Sequence, residues 1–196
     1  GDRLFTGSHD GTVRVWDSNG ELIKVIQVGG EVLGIGVSSD GTRLATIPAD
    51  GPVQLWDLID YHKLSDVGGS GGFDTSDAVF SPDGNYLAAD LATGLYVWRL
   101  PDAKSLLDSP KNSLAVVFSP DGKYLAYSDV DQNNQIVLTS PDGAQSIRTM
   151  DGTGATLWDL FFSPDSSLLA GNDDREIRIW QVETGKLLYV GKASCP

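Results

Sequence analysis

Reactive side chains are scarce in this sequence. Its one cysteine, Cys195, rules out an internal disulfide and says little about compartment. The two histidines, His9 and His62, lie far apart along the chain, and Cys195 stands next to its last residue. A zinc centre is therefore not expected, nor is a cysteine nucleophile with a histidine partner. Basic residues are few: 14 Lys and Arg against 27 Asp and Glu leave a net charge of −13. An acidic field repels phosphate, which argues against nucleic acid and against anionic membrane surfaces. No apolar run approaches the ~20 residues of a membrane-spanning helix. A soluble chain is expected, with the cytoplasm slightly favoured.

What is present is repetition. A pattern close to LxxxxxDGxVxLWD returns five times, its first leucine at Leu4, Leu44, Leu87, Leu125 and Leu169. The gaps of 40, 43, 38 and 44 residues match the period of four-stranded propeller blades. Within a repeat, an innermost strand a alternates apolar positions, as in Ala78 and Phe80 or Val116 and Phe118. A tight turn follows, Ser81-Pro82-Asp83-Gly84 or Ser119-Pro120-Asp121-Gly122, with variants beginning at Ser38 and Ser163. Proline presets φ at the first corner of such a turn, and glycine takes the positive φ that closes it.

Strand b carries Leu44-Ala45, Leu87-Ala88, Leu125-Ala126 and Leu169-Ala170, small residues standing where neighbouring blades must approach closely. Strand c is the most regular: Val13-Arg14-Val15-Trp16, Val53-Gln54-Leu55-Trp56, Leu95-Tyr96-Val97-Trp98 and Ile177-Arg178-Ile179-Trp180. In the fourth repeat, Ile136-Val137-Leu138-Thr139 ends in threonine instead. A short outer strand d completes each unit.

The repeats fall at about 1–28, 29–67, 68–109, 110–150 and 151–196 of one all-β domain, nineteen strands in all. The first repeat lacks strand a, because Gly1-Asp2-Arg3-Leu4 aligns with Gly41-Thr42-Arg43-Leu44. The expected architecture is an open arc of about five antiparallel blades. It reads as a fragment of a ring of about seven, the missing blades coming from the rest of its own chain. Leu4, Val13 and Val15 are expected to be exposed where strand a is missing. Uncapped repeat ends leave apolar faces open, so these residues alone are expected to be aggregation-prone.

These features resemble the WD-repeat β-propeller family over essentially the whole chain. Trp16-Asp17 and Trp56-Asp57 are the dipeptides that give the family its name, and Trp98-Arg99, Trp180-Gln181 and Thr139-Ser140 are degraded forms. The family's Gly-His pair before strand a is absent from every repeat; Gly29-Gly30, Gly68 to Gly72 and Thr153-Gly154 occupy that region. The resemblance implies a buried network of histidine, serine or threonine, aspartate and tryptophan. Without the histidine it can exist only in part, leaving the tryptophans mainly as packing. The Ser-Pro-Asp-Gly turns and Tyr124-Leu125-Ala126-Tyr127-Ser128 are also similar to TolB-type propellers and to the propeller domains of prolyl oligopeptidases.

Two strings imitate chemical motifs. Gly68-Gly69-Ser70-Gly71-Gly72 matches a nucleophile elbow in letters, but no helix follows to lift and activate the serine. A loop between blades accounts for it. Asp129-Val130-Asp131-Gln132-Asn133-Asn134-Gln135 opens like a calcium loop yet lacks the turn glycine and the closing glutamate. An enlarged hairpin between strands b and c accounts for that. No catalytic centre, cofactor or metal is expected.

What remains is recognition. The family resemblance implies that the d–a and b–c loops share one face and that partners bind there or at the edge. The matching positions are His9, Ala49, Phe73, Asp74, Leu91, Asp129, Asp131, Trp158, Asp173 and Asp174. Trp158 is the only tryptophan outside strand c and stands at the start of a strand a, near the mouth of the channel. It can serve as an interface anchor or as a plug packed on the neighbouring blade. The expectation is a non-catalytic scaffold for a protein or peptide partner. The alternative is the substrate-gating propeller of a prolyl-oligopeptidase-type hydrolase, or a TolB-like envelope propeller.

Overall fold

The computed structural model describes residues 2–71, 77–100, 102–109, 113–150, 157–173 and 175–192. Among them, nineteen strands form five antiparallel sheets. The first sheet holds β1 (Arg3–Gly7), β2 (Thr12–Asp17) and β3 (Leu22–Gln27). The second holds β4 (Val32–Val37), β5 (Arg43–Pro48), β6 (Val53–Asp57) and β7 (Lys63–Gly68). The third runs β8 (Asp77–Phe80), β9 (Tyr86–Leu91), β10 (Gly94–Arg99) and β11 (Lys104–Ser109). In the fourth are β12 (Val116–Phe118), β13 (Leu125–Asp129), β14 (Gln135–Thr139) and β15 (Ser146–Met150). The fifth comprises β16 (Asp159–Phe162), β17 (Leu168–Asn172), β18 (Glu176–Gln181) and β19 (Leu187–Lys192). Each sheet is an up-and-down meander, and the first has three strands among the described residues.

One cross-strand register recurs five times. Trp16 lies opposite Leu4, Trp56 opposite Leu44, Trp98 opposite Leu87, Thr139 opposite Leu125 and Trp180 opposite Leu169. Side chains alternate across a strand, so the leucine and tryptophan share one face of each sheet. The residue before the tryptophan and the one two further back point to the other face. On the outer side the pairing slips by one residue at the same point in every sheet, between Val15 and Trp16 and at its four counterparts. This bulge leaves one aliphatic residue of the outer strand unpaired each time: Ile23, Leu64, Leu106, Ile147 and Leu188.

The two kinds of face meet at four joints. Val13, Val15 and Ile26 of the first sheet pack on Leu44 and Trp56 of the second. Ala45, Val53 and Leu55 pack on Leu87 and Trp98. Ala88, Leu95 and Val97 meet Leu125 and Tyr127, and Ala126, Ile136 and Leu138 meet Leu169 and Trp180. Each fully buried aliphatic side chain contributes about 1.5–3 kcal/mol, so these joints hold the array together. Arg3 and Arg43 latch successive sheets, Arg3 donating to the carbonyls of Gly41 and Leu58 and Arg43 to that of Gly84. β1 packs on β4, and the inner strands follow in succession, β4 on β8, β8 on β12 and β12 on β16. Among the described residues the fifth sheet does not return to the first, and the arc is open.

One expectation is corrected here. Leu4 is exposed, but Val13 and Val15 are completely buried. They alternate with Arg14 and Trp16, so they belong to the face that meets the second sheet, away from the open side.

The turns after the inner strands repeat a module of their own. Ser38, Ser81, Ser119 and Ser163 each donate a hydroxyl hydrogen bond to the aspartate two residues on, and each accepts from the backbone N–H five residues on. Ser140 and Asp142 do the same after β14. The Ser38 hydroxyl holds the Asp40 carboxyl below the usual range, Ser140 does so for Asp142, and Ser163 takes Asp165 down to about 2.

Two tests follow from this packing. At Gly36 a β-carbon would run into the carbonyl group of Ala78 on the next inner strand. Gly36→Ala is expected to lower stability by about 1–3 kcal/mol, read from the urea midpoint. The Asp165 carboxyl is lowered on folding, so its contribution is present above the ordinary value of 3.8 and lost as pH falls through about 2. The melting temperature should fall over that interval, and Asp165→Ala should flatten part of the fall.

Candidate interaction face

The b–c turns and the connections that lead into the inner strands supply this face. His9 is exposed in the β1–β2 turn, its Nδ1 3.9 Å from the Glu31 carboxylate. Its neighbour Asp10 closes the turn, accepting from the Thr12 hydroxyl at 2.6 Å, the Thr12 N–H at 3.0 Å and Arg14 at 2.6 Å. The Thr12 hydroxyl, then Arg14, hold the Asp10 carboxyl well below the usual carboxylate range. Ala49 is half-buried in the β5–β6 turn, beside an exposed Asp50. Leu91 is buried in the joint between the second and third sheets and offers no surface.

The acidic candidates divide. Asp129 is buried and caps a 3-10 turn (Val130–Gln132) by accepting from the Gln132 N–H, while Asp131 is exposed on that turn. Asn133 and Asn134 follow at φ of 59° and 57°, which completes an enlarged hairpin. Asp173 is also buried, accepting from the N–H groups of Arg175 and Glu176 at 2.7 Å each and from Arg178 at 3.1 Å. Phe73, Asp74 and Asp174 lie outside the described residues. Ser70 follows the end of β7 and donates its hydroxyl to the Gly71 carbonyl, with no helix after it among the described residues.

Trp158 is 43% exposed, and its backbone N–H donates to the Asn172 carbonyl just before β16. Two residues that the sequence reading passed over belong here, Asp159, which follows Trp158 in the chain, and Asp77, on which its charge acts. Each is the first residue of an inner strand, β8 and β16, on either side of β12, which packs against both. Asp77 is exposed at the start of β8. Desolvation, and then the like charge of Asp159, push its carboxyl up. Aligning Asp77-Ala78-Val79-Phe80 with Asp159-Leu160-Phe161-Phe162 would have found the pair.

At the opposite end of the second sheet, Asp57, Asp60 and His62 bring their ligand atoms within 4.8 Å of one another. Asp57 accepts from the N–H groups of Ile59 and Asp60, and His62 pairs with Asp60, which raises the imidazole. The group is a solvent-facing turn network.

The tryptophans behave as the partial network requires. The indole N–H of Trp16 donates to Thr6 and that of Trp56 to Thr46, each at 3.0 Å. Ala89 and Gly171 stand at the equivalent positions and offer no side-chain acceptor, so Trp98 stacks on Tyr96 and Trp180 is simply buried.

The family description "WD domain, G-beta repeat" matches residues 1–17 and 144–181. The WD repeat-containing protein SL1-17 of Schistosoma mansoni is 29% identical over 94% of this chain and 63% of its own length. The chain belongs to the WD-repeat family. Protein Atg16l2 of Mus musculus is 33% identical over 69% of this WD-repeat chain and 23% of its own length. The SIR4-interacting protein SIF2 of Saccharomyces cerevisiae is 21% identical over 96% and 38%. The chain thus spans less than two thirds of the length of each of these relatives. No helix among its described residues is long and apolar enough to cross a membrane.

Within this WD-repeat face, buried and exposed aspartates should separate in mutagenesis. Asp173→Ala removes the acceptor of two backbone N–H groups and of Arg178, and should cost about 1–3 kcal/mol in urea unfolding. Asp50→Ala, fully on the surface, should stay within about 0.5 kcal/mol of the parent.

Proposed function

We propose that the chain is a non-catalytic WD-repeat scaffold that takes a protein or peptide segment on its loop face. The observation that carries the reading is Trp158, a partly exposed indole at the start of an inner strand, followed in the chain by Asp159, whose charge acts on Asp77. Such a ring offers a rigid apolar anchor at low cost in conformational entropy. Two carboxylates that repel each other beside it favour a segment bringing a lysine or arginine side chain, as does the net charge of −13. Asp131 and His9 extend this surface, as do Phe73, Asp74 and Asp174 by their places in the sequence. Asp129 and Asp173 shape it from below by closing its turns. One WD-repeat relative bears a name that states an interaction with another protein, which accords with a scaffold role. The reading needs no cofactor.

Selection from a displayed peptide library against the chain is expected to enrich basic segments. Trp158→Ala should weaken their binding by about 2 kcal/mol, roughly thirtyfold in Kd. Tyr189→Ala, on the outer strand β19, should leave it unchanged. Selected peptides that bind the Trp158→Ala chain as tightly as the parent would overturn this site.

A further inference from the structure

An aspartate followed by glycine carries a reaction within its own backbone. The glycine nitrogen can attack the aspartate carboxyl, because no β-carbon shields that nitrogen or restricts the approach. Both partners must be free: a carboxyl able to turn onto the chain, and an N–H not tied up in a hydrogen bond. Seven Asp-Gly pairs occur in the sequence. Six lie among the described residues, and Asp151-Gly152 lies outside them.

Five of the six are locked on both sides of the reaction. The N–H groups of Gly11, Gly41, Gly84, Gly122 and Gly143 donate to the carbonyls of Ser8, Ser38, Ser81, Ser119 and Ser140 at 2.8–3.1 Å. The carboxylates of Asp10, Asp40, Asp83, Asp121 and Asp142 each accept the backbone N–H two residues on, together with a hydroxyl. Asn19-Gly20, whose side-chain amide is open to the same attack, is held as well. Asn19 donates to the Asp17 carboxylate, and the Gly20 N–H donates to the Asp17 carbonyl. Asp50-Gly51 differs in both respects. The pair forms the tip of the turn between β5 and β6, and both residues are exposed. Among the described residues, neither the Asp50 carboxylate nor the Gly51 N–H has a hydrogen-bond partner. Gly51 stands at a φ of 101°, with open space where a β-carbon would project.

We propose that Asp50 is a site of backbone isomerisation to isoaspartate, with water as the only co-reactant. The Gly51 nitrogen bonds to the carbonyl carbon of the protonated Asp50 carboxyl, and the carboxyl hydroxyl leaves with the nitrogen's proton as water. This closes a five-membered succinimide. A second water then opens the ring at one of its two carbonyls. Breaking the new C–N bond restores aspartate. Breaking the original peptide bond leaves Gly51 joined through the side-chain carboxyl and frees the former backbone carbonyl as a carboxylate. One water leaves and one enters, so mass and charge are unchanged while the backbone path gains a methylene. The change falls in a b–c turn of the interaction face, one residue after Ala49, whose N–H donates to the Glu31 carbonyl at 2.7 Å.

Storage of the folded chain in neutral buffer, followed by tryptic mapping with fragmentation that separates the two isomers, tests this. Isoaspartate at Asp50 should exceed that at each clasped aspartate by about tenfold or more, since those pairs must first give up hydrogen bonds. In guanidinium chloride, where the clasps are gone, the six sites should react alike. Asp50→Glu keeps the charge but cannot close a five-membered ring, and should abolish the signal from its peptide. A folded chain whose Asp50 isomerises no faster than the clasped pairs would overturn the proposal. So would an unchanged spread of rates in guanidinium chloride, or a signal that survives Asp50→Glu. The reaction needs no partner, so its outcome is independent of peptide binding at Trp158.

Discussion

The leucine at the head of one sheet, with its tryptophan where one is present, pressed onto the aliphatic c strand of the sheet before it, is the contact on which the architecture rests. No sheet here can bury both of its faces alone, because its c strand turns aliphatic residues to one face and, in four of the five sheets, a tryptophan to the other. Stacking resolves this, as in other repeat arrays where stability is shared between neighbours. The pair also fixes orientation. Side chains alternate, so placing leucine opposite tryptophan sends Val13, Val53, Leu95 and Ile136 to the opposite side, ready for the next sheet. The same device tolerates loss of the indole. Thr139 takes the tryptophan position in the fourth sheet, its hydroxyl bonded to the carbonyls of Leu125 and Ser140, and Leu125 remains fully buried.

Most of the fold was legible because the repeat supplies five independent readings of one strand pattern. Nineteen strands, the missing inner strand of the first sheet and the threonine exception were all visible in the spacing of leucine, tryptophan and the Ser-x-Asp-Gly turns. The facing of Val13 and Val15 was misjudged because a missing strand was equated with an exposed sheet, whereas their side chains point to the other side. The candidate site was less legible. A b–c turn aspartate looks the same in sequence whether its carboxylate reaches solvent or caps its own turn; Asp131 does the first, Asp129 and Asp173 the second. Asp77 and Asp159 were missed because a polar residue opening a strand carries no local motif. Their significance comes from two sheets converging on β12, a relation between residues more than eighty positions apart.

The acidity of the chain takes on a different meaning once the turns are seen. Asp40, Asp83, Asp121, Asp142 and Asp165 each accept a serine hydroxyl within their own turn, and Asp10, Asp17 and Asp173 accept backbone N–H groups. Much of the negative charge is therefore structural, a set of hairpin clasps distributed round the arc. Asp77 and Asp159 at the rim are among the carboxylates that turn closure does not employ.

The recurring bulge ahead of each tryptophan bears on how the sheets avoid the wrong neighbours. Strand d is the rim of every sheet, and an apolar rim with evenly spaced N–H and C=O groups would be a template for any extended chain nearby. Placing one surplus residue in that strand, always isoleucine or leucine, breaks the spacing and increases the local twist. The circumference is thereby made a poor partner for β-augmentation, even where Ile23, Leu64, Ile147 and Leu188 are open to water. Attachment is channelled to flat faces and loops, where side chains rather than backbone decide what fits.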